Sequence, residues 1–384
     1  MTQKLISLYA LMIIGLASIA QNNYLNENAE EDEKIYKGVD HYEVKIFPNR
    51  FKSKKPQNVI LLIGDGMGVA QVFAGITANR GKLFLDNFKS IGFSKTQSAN
   101  NYITDSAAGG TALSTGVKTY NGAIGVNPDT IPVKTILEQA EEKGLSTGLV
   151  STSSITHATP ASFIAHQKNR NMYEEIAADF LKTDIDVFIG GGYKHFTRRK
   201  DGRNLVNELT LKGYKVLQDI TEIEMINSGK IAGFTASEHN GRIEERKDML
   251  PIATKAAINI LDHNKKGFFL MVEGSQIDWG GHAGSTIYIV EDMLDFDKTI
   301  GKVLEFASKD GKTLVVVTAD HETGGLALTG GEIKTGKVKG EYSTGGHTGV
   351  MVPVFAYGPG AEEFEGIYEN TVIYDKIKSL LISQ

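Results

Sequence analysis

No cysteine occurs among the 384 residues of this chain, so no disulfide can hold its fold and no lipid can be attached through a thiol. Positive charge is not in excess either. With 41 Lys and Arg against 46 Asp and Glu, a net charge of -5 leaves no electrostatic footprint for nucleic acid. The short basic runs at residues 52–55 and 198–200 read as solvated loops. Proline is scarce, with 8 residues against 42 glycines, which speaks for many tight connections and against a low-complexity tract. Tryptophan occurs once, at Trp279, and no internal repeat is present. Uninterrupted apolar runs long enough to cross a membrane are also missing. Residues 5–20, which follow Lys4, fall short of the ~20 residues a span needs. They end in Ala17-Ser18-Ile19-Ala20, a small-x-small pattern suited to cleavage before Gln21. Residues 1–20 therefore read as an export signal, which leaves no stable span after processing and places the mature chain in the periplasm or outside the cell. Residues 21–57, acidic at Glu30-Glu31-Asp32-Glu33, read as a flexible leader.

What remains, residues 58–384, is long enough to bury a large core and reads as a single catalytic domain. Residues 59–63 are continuously apolar and break into Gly64-Asp65-Gly66-Met67-Gly68, as a strand buried on both faces does before a tight turn. The grammar recurs. Residues 146–150 run into Ser151-Thr152-Ser153, residues 268–272 into Glu273-Gly274-Ser275, and residues 314–318 into Ala319-Asp320-His321. Apolar residues spaced three and four apart at 133–143, 172–181, 252–261 and 287–306 predict helices between these strands. Alternation of this kind predicts an α/β fold with a mainly parallel central sheet sandwiched between helices on both faces. Four strand ends would then bring polar groups to one rim, the edge where open α/β sheets bind ligands. Between residues 184 and 246 the pattern weakens, and the Gly- and Lys-rich stretch 329–344 reads as a surface insertion.

The chemistry centres on Thr104-Asp105-Ser106-Ala107-Ala108-Gly109-Gly110, where a hydroxyl stands beside a carboxylate at the start of a run of small residues. Ser106 at a helix start meets free amides and the positive end of the helix dipole, which suits an anion; Asp-Ser is also an ordinary helix cap. Asp278 and His282 are four apart, so one helical turn puts both on one side, as metal ligands need. Asp320 and His321 are adjacent at a strand end, where consecutive side chains diverge and could serve two different ions. His347, in a glycine-flanked turn before an apolar run, adds a third imidazole. Imidazole with carboxylate suits zinc, whereas the all-oxygen group Asp65, Thr159 and Glu273 suits magnesium. His166, His195, His239 and His263 lack matching partners in sequence and are assigned to core or surface.

Gly64-Asp65-Gly66-Met67-Gly68, Thr104-Asp105-Ser106-Ala107-Ala108, His157-Ala158-Thr159-Pro160, Asn169-Arg170-Asn171, Glu273-Gly274-Ser275-Gln276-Ile277-Asp278 with His282, Ala319-Asp320-His321-Glu322 and Gly346-His347-Thr348 together resemble the alkaline phosphatase family, in the family's order and from about residue 58 onward. The resemblance implies hydrolysis of phosphate monoesters through a phosphoserine at Ser106, with Arg170 clamping phosphate oxygens and Asp105 positioning Arg170. It implies two zinc ions, one held by Asp278, His282 and His347 and one by Asp65, Asp320 and His321. A magnesium ion would be held by Asp65, Thr159 and Glu273. A homodimer is also implied. His157 and Trp279 stand where the best-known bacterial members have Asp and Lys, so both are expected just behind the ligands, and the third site's preferred metal stays open. A phosphodiesterase or sulfatase of the same superfamily, and a phosphate- or metal-binding protein without turnover, are the other readings weighed.

Overall fold

The computed structural model describes residues 31–383, with Asp40, Arg50 and Lys52 excepted; the export signal expected at residues 1–20 lies outside the described residues. In chain order the strands are β1 (Ile35–Tyr36), β2 (Asn58–Gly64), β3 (Ser90–Lys95), β4 (Ser146–Ser154), β5 (Val187–Gly191), β6 (Lys215–Leu217), β7 (Ile231–Phe234), β8 (Phe268–Gly274), β9 (Thr313–Thr318), β10 (Glu322–Thr323), β11 (Leu326–Glu332), β12 (Lys337–Tyr342), β13 (His347–Thr348), β14 (Val352–Tyr357) and β15 (Gly366–Glu369). Ten of them form one sheet in the order β15-β3-β14-β9-β2-β8-β4-β5-β7-β6. All neighbours run parallel except β14, which opposes both β3 and β9.

The sandwich is legible in β2, whose seven residues are all buried. Ile60 and Leu62 pack into one core with the helices Val69–Ala78, Met249–Leu261 and Thr286–Asp310. Val59, Leu61 and Ile63 point the other way, into a core shared with Ser106–Thr115, Ile136–Glu142, Tyr173–Asp179 and Thr371–Ile377. Alternate residues of a strand face opposite sides, so a continuous apolar run needs cover on both. The expected helices appear with shifted ends. The weak stretch holds β5, β6 and β7, three short strands that extend the sheet to its edge. Among the described residues no helix is long and apolar enough to cross a membrane.

Register sets the site. Ile63 of β2 pairs with Glu273 of β8 and with Thr318 of β9, and Ser151 of β4 also pairs with Glu273. The carboxyl ends of four adjacent strands thus meet on one rim, with β2 in the middle.

The described part of the leader is held to the body, contrary to its expected flexibility. β1 pairs with β12, the Tyr42 hydroxyl donates to buried Asp297 at 2.6 Å, and the Phe47 amide donates to Asn87 Oδ1 at 2.7 Å. Sequence polarity misled here because the anchors are scattered: besides these bonds, isolated aromatics pack onto the body, Tyr42 and Phe47 against Phe84 and Phe51 against Tyr357, without forming a periodic apolar stripe. The stretch 329–344 forms much of the β11–β12 hairpin, largely exposed on its outer strand.

Candidate metal and phosphoryl-transfer site

Asp65 follows β2 in a tight turn in which Gly66 adopts φ +72, a left-handed conformation. A Cβ there would also stand 2.7 Å from Asp278 Cα, so glycine lets two ligand-bearing segments touch. Asp278 and His282 lie on the helix Gln276–His282, one turn apart as expected, with Asp278 Oδ2 3.4 Å from His282 Nε2. His347 comes from β13 and places its Nε2 3.5 Å from Asp278 Oδ1.

The ring nitrogens state what this trio is for. His282 Nδ1 bonds the Gly345 carbonyl at 2.7 Å and His347 Nδ1 bonds the Thr104 carbonyl at 2.9 Å. A carbonyl only accepts, so both Nδ1 atoms carry protons, and in the neutral rings both Nε2 atoms carry lone pairs. Those two Nε2 atoms face each other at 3.2 Å. Opposed lone pairs repel unless a metal cation lies within reach of both or one of the two nitrogens takes up a proton, as His282 does beside Asp278 in the metal-free fold.

A second group stands beside it. His321 Nε2 lies 3.3 Å from Asp320 Oδ2, 3.5 Å from Asp65 Oδ1 and 3.3 Å from Ser106 Oγ. Asp320 and His321 thus turn to the same centre, which corrects the expectation that adjacency would part them. The strand ends at Thr318, so the alternation of extended backbone no longer applies to either residue. The rings of His321 and His347 stack with centroids 3.6 Å apart, which binds the two groups into one site. A third group is Asp65, Glu273 and His157, whose ligand atoms lie within 4.8 Å of one another. Thr159 is adjacent, its hydroxyl 3.5 Å from Asp65 Oδ2. His157 therefore reaches this group directly, closer than its expected place behind the ligands.

These donors fit cations. Asp65 Oδ1, Glu273 Oε1 and Asp320 Oδ2 are buried without a hydrogen-bond partner, and a buried orphan carboxylate oxygen is costly unless something positive meets it. Burial, then the Asp320 carboxylate, pushes Asp65 well above the usual carboxylate range. Asp320 is pushed up to about 8 by burial and by Asp278 and Glu273. Glu273 is raised by burial although Ser151, Ser275, Thr159 and Ser153 bond it. For Asp278, burial opposes the charge, but flanking His282 and His347 prevail and hold it below its ordinary value. His282 in turn overcomes burial through Asp278 and rises to about 9. His321 and His157 are lowered by burial first, then by His347 and Arg170 respectively.

Ser106 opens the helix Ser106–Thr115 and is buried. Asp105 is its cap, with Oδ1 accepting from the Ala108 amide at 3.0 Å. Its other oxygen accepts from Arg170 Nη1 at 3.0 Å, so capping and positioning are shared between the two oxygens of one side chain. Arg170 Nη2 donates to His157 Nε2 at 3.3 Å. Trp279 is packed edge-on to His157, centroids 6.3 Å apart, and is buried.

Two contributors escaped the sequence reading. His239, assigned to core or surface, meets Trp279 at 5.0 Å and His157 at 5.4 Å and completes a three-ring wall beside the third group. Thr323, buried between the first two groups, carried no signal at all. His166 and His263 lie apart from the three groups, one paired with Glu138 and the other bonded to the Asn259 carbonyl.

Residues 56–340 match the alkaline phosphatase family model. Alkaline phosphatase 4 of Bacillus subtilis is 36% identical, covering 82% of this chain and 86% of that protein. The alkaline phosphatase of Escherichia coli is 32% identical over 86% of this chain and 87% of its own length. Among solved structures, the alkaline phosphatase of the Antarctic bacterium TAB5 superposes with a TM-score of 0.81 at 46% identity, covering 85% of this chain and 98% of that one. A variant of that enzyme was solved with magnesium bound. The chain therefore belongs to the alkaline phosphatase family, a phosphatase that hydrolyses phosphate monoesters with the help of metal ions.

Proposed function

We propose that the protein is an exported alkaline phosphatase that passes the phosphoryl group of a monoester first to Ser106 and then to water. The observation that carries this reading is the Ser106 hydroxyl at 3.3 Å from His321 Nε2, at the edge of the buried donor groups. In this reading one zinc is held by Asp278, His282 and His347 and another by Asp65, Asp320 and His321. Magnesium takes Asp65, Thr159 and Glu273, with His157 at its side. When bound, the cations supply the positive charge that stabilises the serine alkoxide and the departing alcohol oxygen.

The chain's own residues do the rest. Asp105 holds Arg170 through Nη1, and the guanidinium presents its fork to two phosphate oxygens. Ser106 Oγ forms a bond to phosphorus as the phosphorus–oxygen bond to the alcohol breaks; the serine proton is lost and the alcohol leaves after taking one up. Water then attacks the phosphoserine, Ser106 Oγ is restored and inorganic phosphate departs. Catalysis of this kind rests on positioning and charge. Residues 58–384 act as one catalytic unit, Trp279 lends no positive charge to phosphate, and the working particle is a homodimer whose mature chain begins at Gln21.

Hydrolysis of a chromogenic monoester is the test, run before and after chelation, with zinc and magnesium restored and Ser106→Ala beside it. Expected are loss with chelator, recovery with both metals, and a fall of at least ~10³-fold in the variant. Acid-quenched enzyme should carry phosphate on Ser106. A Ser106→Ala protein with wild-type turnover sinks the phosphoserine route, and faster cleavage of a diester of the same alcohol sinks the monoester assignment. Sizing chromatography and amino-terminal sequencing of the exported protein test the dimer and the cleavage site.

A further inference from the structure

Thr323 is fully buried and its hydroxyl touches a side chain from each of the first two donor groups. It donates to Asp278 Oδ1 in a short contact, and His321 Nδ1 lies 3.2 Å away on the other side. A hydroxyl has one proton and two lone pairs. With the proton given to the carboxylate, Thr323 Oγ1 can only accept from His321, so His321 Nδ1 carries hydrogen and Nε2 carries the lone pair. That lone pair faces Asp65, Asp320 and Ser106.

Three segments hold the hydroxyl in place. Thr323 pairs with His347 across the β10–β13 ladder. Its amide donates to the Gly66 carbonyl at 3.2 Å, and its carbonyl accepts from Gln71 Nε2 at 2.9 Å. A Cβ at Gly66 would stand 2.8 Å from Thr323 Oγ1, so the Asp65 turn closes on this side chain. Next door, the Glu322 carboxylate accepts from Gln71 Nε2 at 2.7 Å and from the Leu326 amide at 3.2 Å, which locks the same corner.

We infer that Thr323 is a positioning residue that couples the two zinc sites, fixing the tautomer of His321 in one and the carboxylate of Asp278 in the other through a single hydroxyl. This rests on the metal assignment above. Thr323→Val keeps the shape and removes the hydroxyl, leaving a buried N–H on His321 without an acceptor and Asp278 short of a donor. Outer partners of metal ligands typically contribute 10- to 100-fold in affinity, and here one group serves both sites.

The test titrates metal-free protein with zinc against a chromophoric chelator, for wild type, Thr323→Val and Thr323→Ser. Expected is a loss of about 10-fold or more in both tight binding steps for the valine variant, with the serine variant within about threefold of wild type. Unchanged affinities in Thr323→Val overturn the inference, and so does a loss confined to one step. Wild type that takes up no zinc sinks the metal assignment instead. A measurement independent of the variant's folding is the nitrogen-15 spectrum of His321 in the zinc-loaded wild type. Protonated Nδ1 is expected; a proton on Nε2 refutes the coupling.

Discussion

Stripping the metals should make the protein lose stability as pH rises from 6.5 to 9, and metal should restore more at the top of that window than at the bottom. The sign follows from the site. Burial and the neighbouring acids raise Asp320 to about 8 in the folded chain, so the metal-free fold retains a proton that the unfolded chain gives up near pH 4. His282, raised to about 9 by Asp278 against the effect of burial, also binds its proton more tightly when folded. A folded state that holds more protons is destabilised as protons are withdrawn. Below pH 6.5 the picture is mixed, because His321 and His157 are buried neutral and their loss of charge favours folding as pH rises toward 6.5. Above it those histidines are silent and the raised groups count; Asp65 and Glu273, also raised, act in the same direction, so the sum worked from Asp320 and His282 is a lower figure. From 6.5 to 8 for Asp320 and from 6.5 to 9 for His282, at ~1.4 kcal/mol per pH unit, the loss is about 2 and about 3 kcal/mol. An entropy of unfolding near 2.1 cal/mol/K per residue over 384 residues turns ~5 kcal/mol into roughly 6 °C of melting temperature. Asp292 and Asp297, raised to about 7 elsewhere in the fold, titrate with and without metal and cancel in the comparison. The assay is calorimetric melting in chelator and in zinc plus magnesium, at half-unit steps from pH 6.5 to 9. A metal-free melting temperature that stays level or climbs refutes the reasoning, and so does a metal increment independent of pH. Asp320→Asn should flatten the metal-free slope.

Other consequences are quicker to check. Arg170→Ala leaves Asp105 held by the Ala108 amide at Oδ1 and the Gly122 amide at Oδ2 and should cost about 10²–10³ in kcat/KM for a monoester, seen in steady-state kinetics, with phosphate inhibition weakened in parallel. His157→Asp turns the third group into an all-oxygen set, which should raise magnesium retained after gel filtration by about tenfold, measured by atomic emission. Tyr42→Phe removes the 2.6 Å bond to buried Asp297 and should lower stability by about 1–3 kcal/mol in denaturant melts while kcat stays at the wild-type value.

Strand grammar was legible where burial is two-sided. β2, β8 and β9 are apolar at nearly every position because helices cover both faces, and the break to Asp, Glu or Asp-His marks where each leaves the sheet. β5, β6 and β7 were not legible, being at most five residues long with glycines in two of them, too short for a period to register. The Asp278–His282 spacing was readable because both lie on one helical turn. That His347 faces His282 could come only from resemblance, since nothing local in either segment encodes a meeting across 65 positions. Thr323 and His239 were invisible for a related reason. A lone threonine or histidine has no pattern, and its role arises when strands and turns from distant parts of the chain close around it.

The strand order explains why Asp65 belongs to two donor groups and no other ligand does. β2 lies between β8 and β9, so the residue that follows it is the one position flanked on one side by Glu273 and on the other by Asp320 and His321. A bidentate side chain at that point can turn one oxygen each way. Its Oδ1 stands 3.5 Å from His321 Nε2 and its Oδ2 receives Thr159 at 3.5 Å. Ser106 then has to approach from outside the sheet, and it does so on a helix whose small residues allow the approach: a Cβ at Gly109 would come within 3.0 Å of Asp320 Cβ. The small-residue run Ala107-Ala108-Gly109-Gly110 is thus what lets the nucleophile reach the rim.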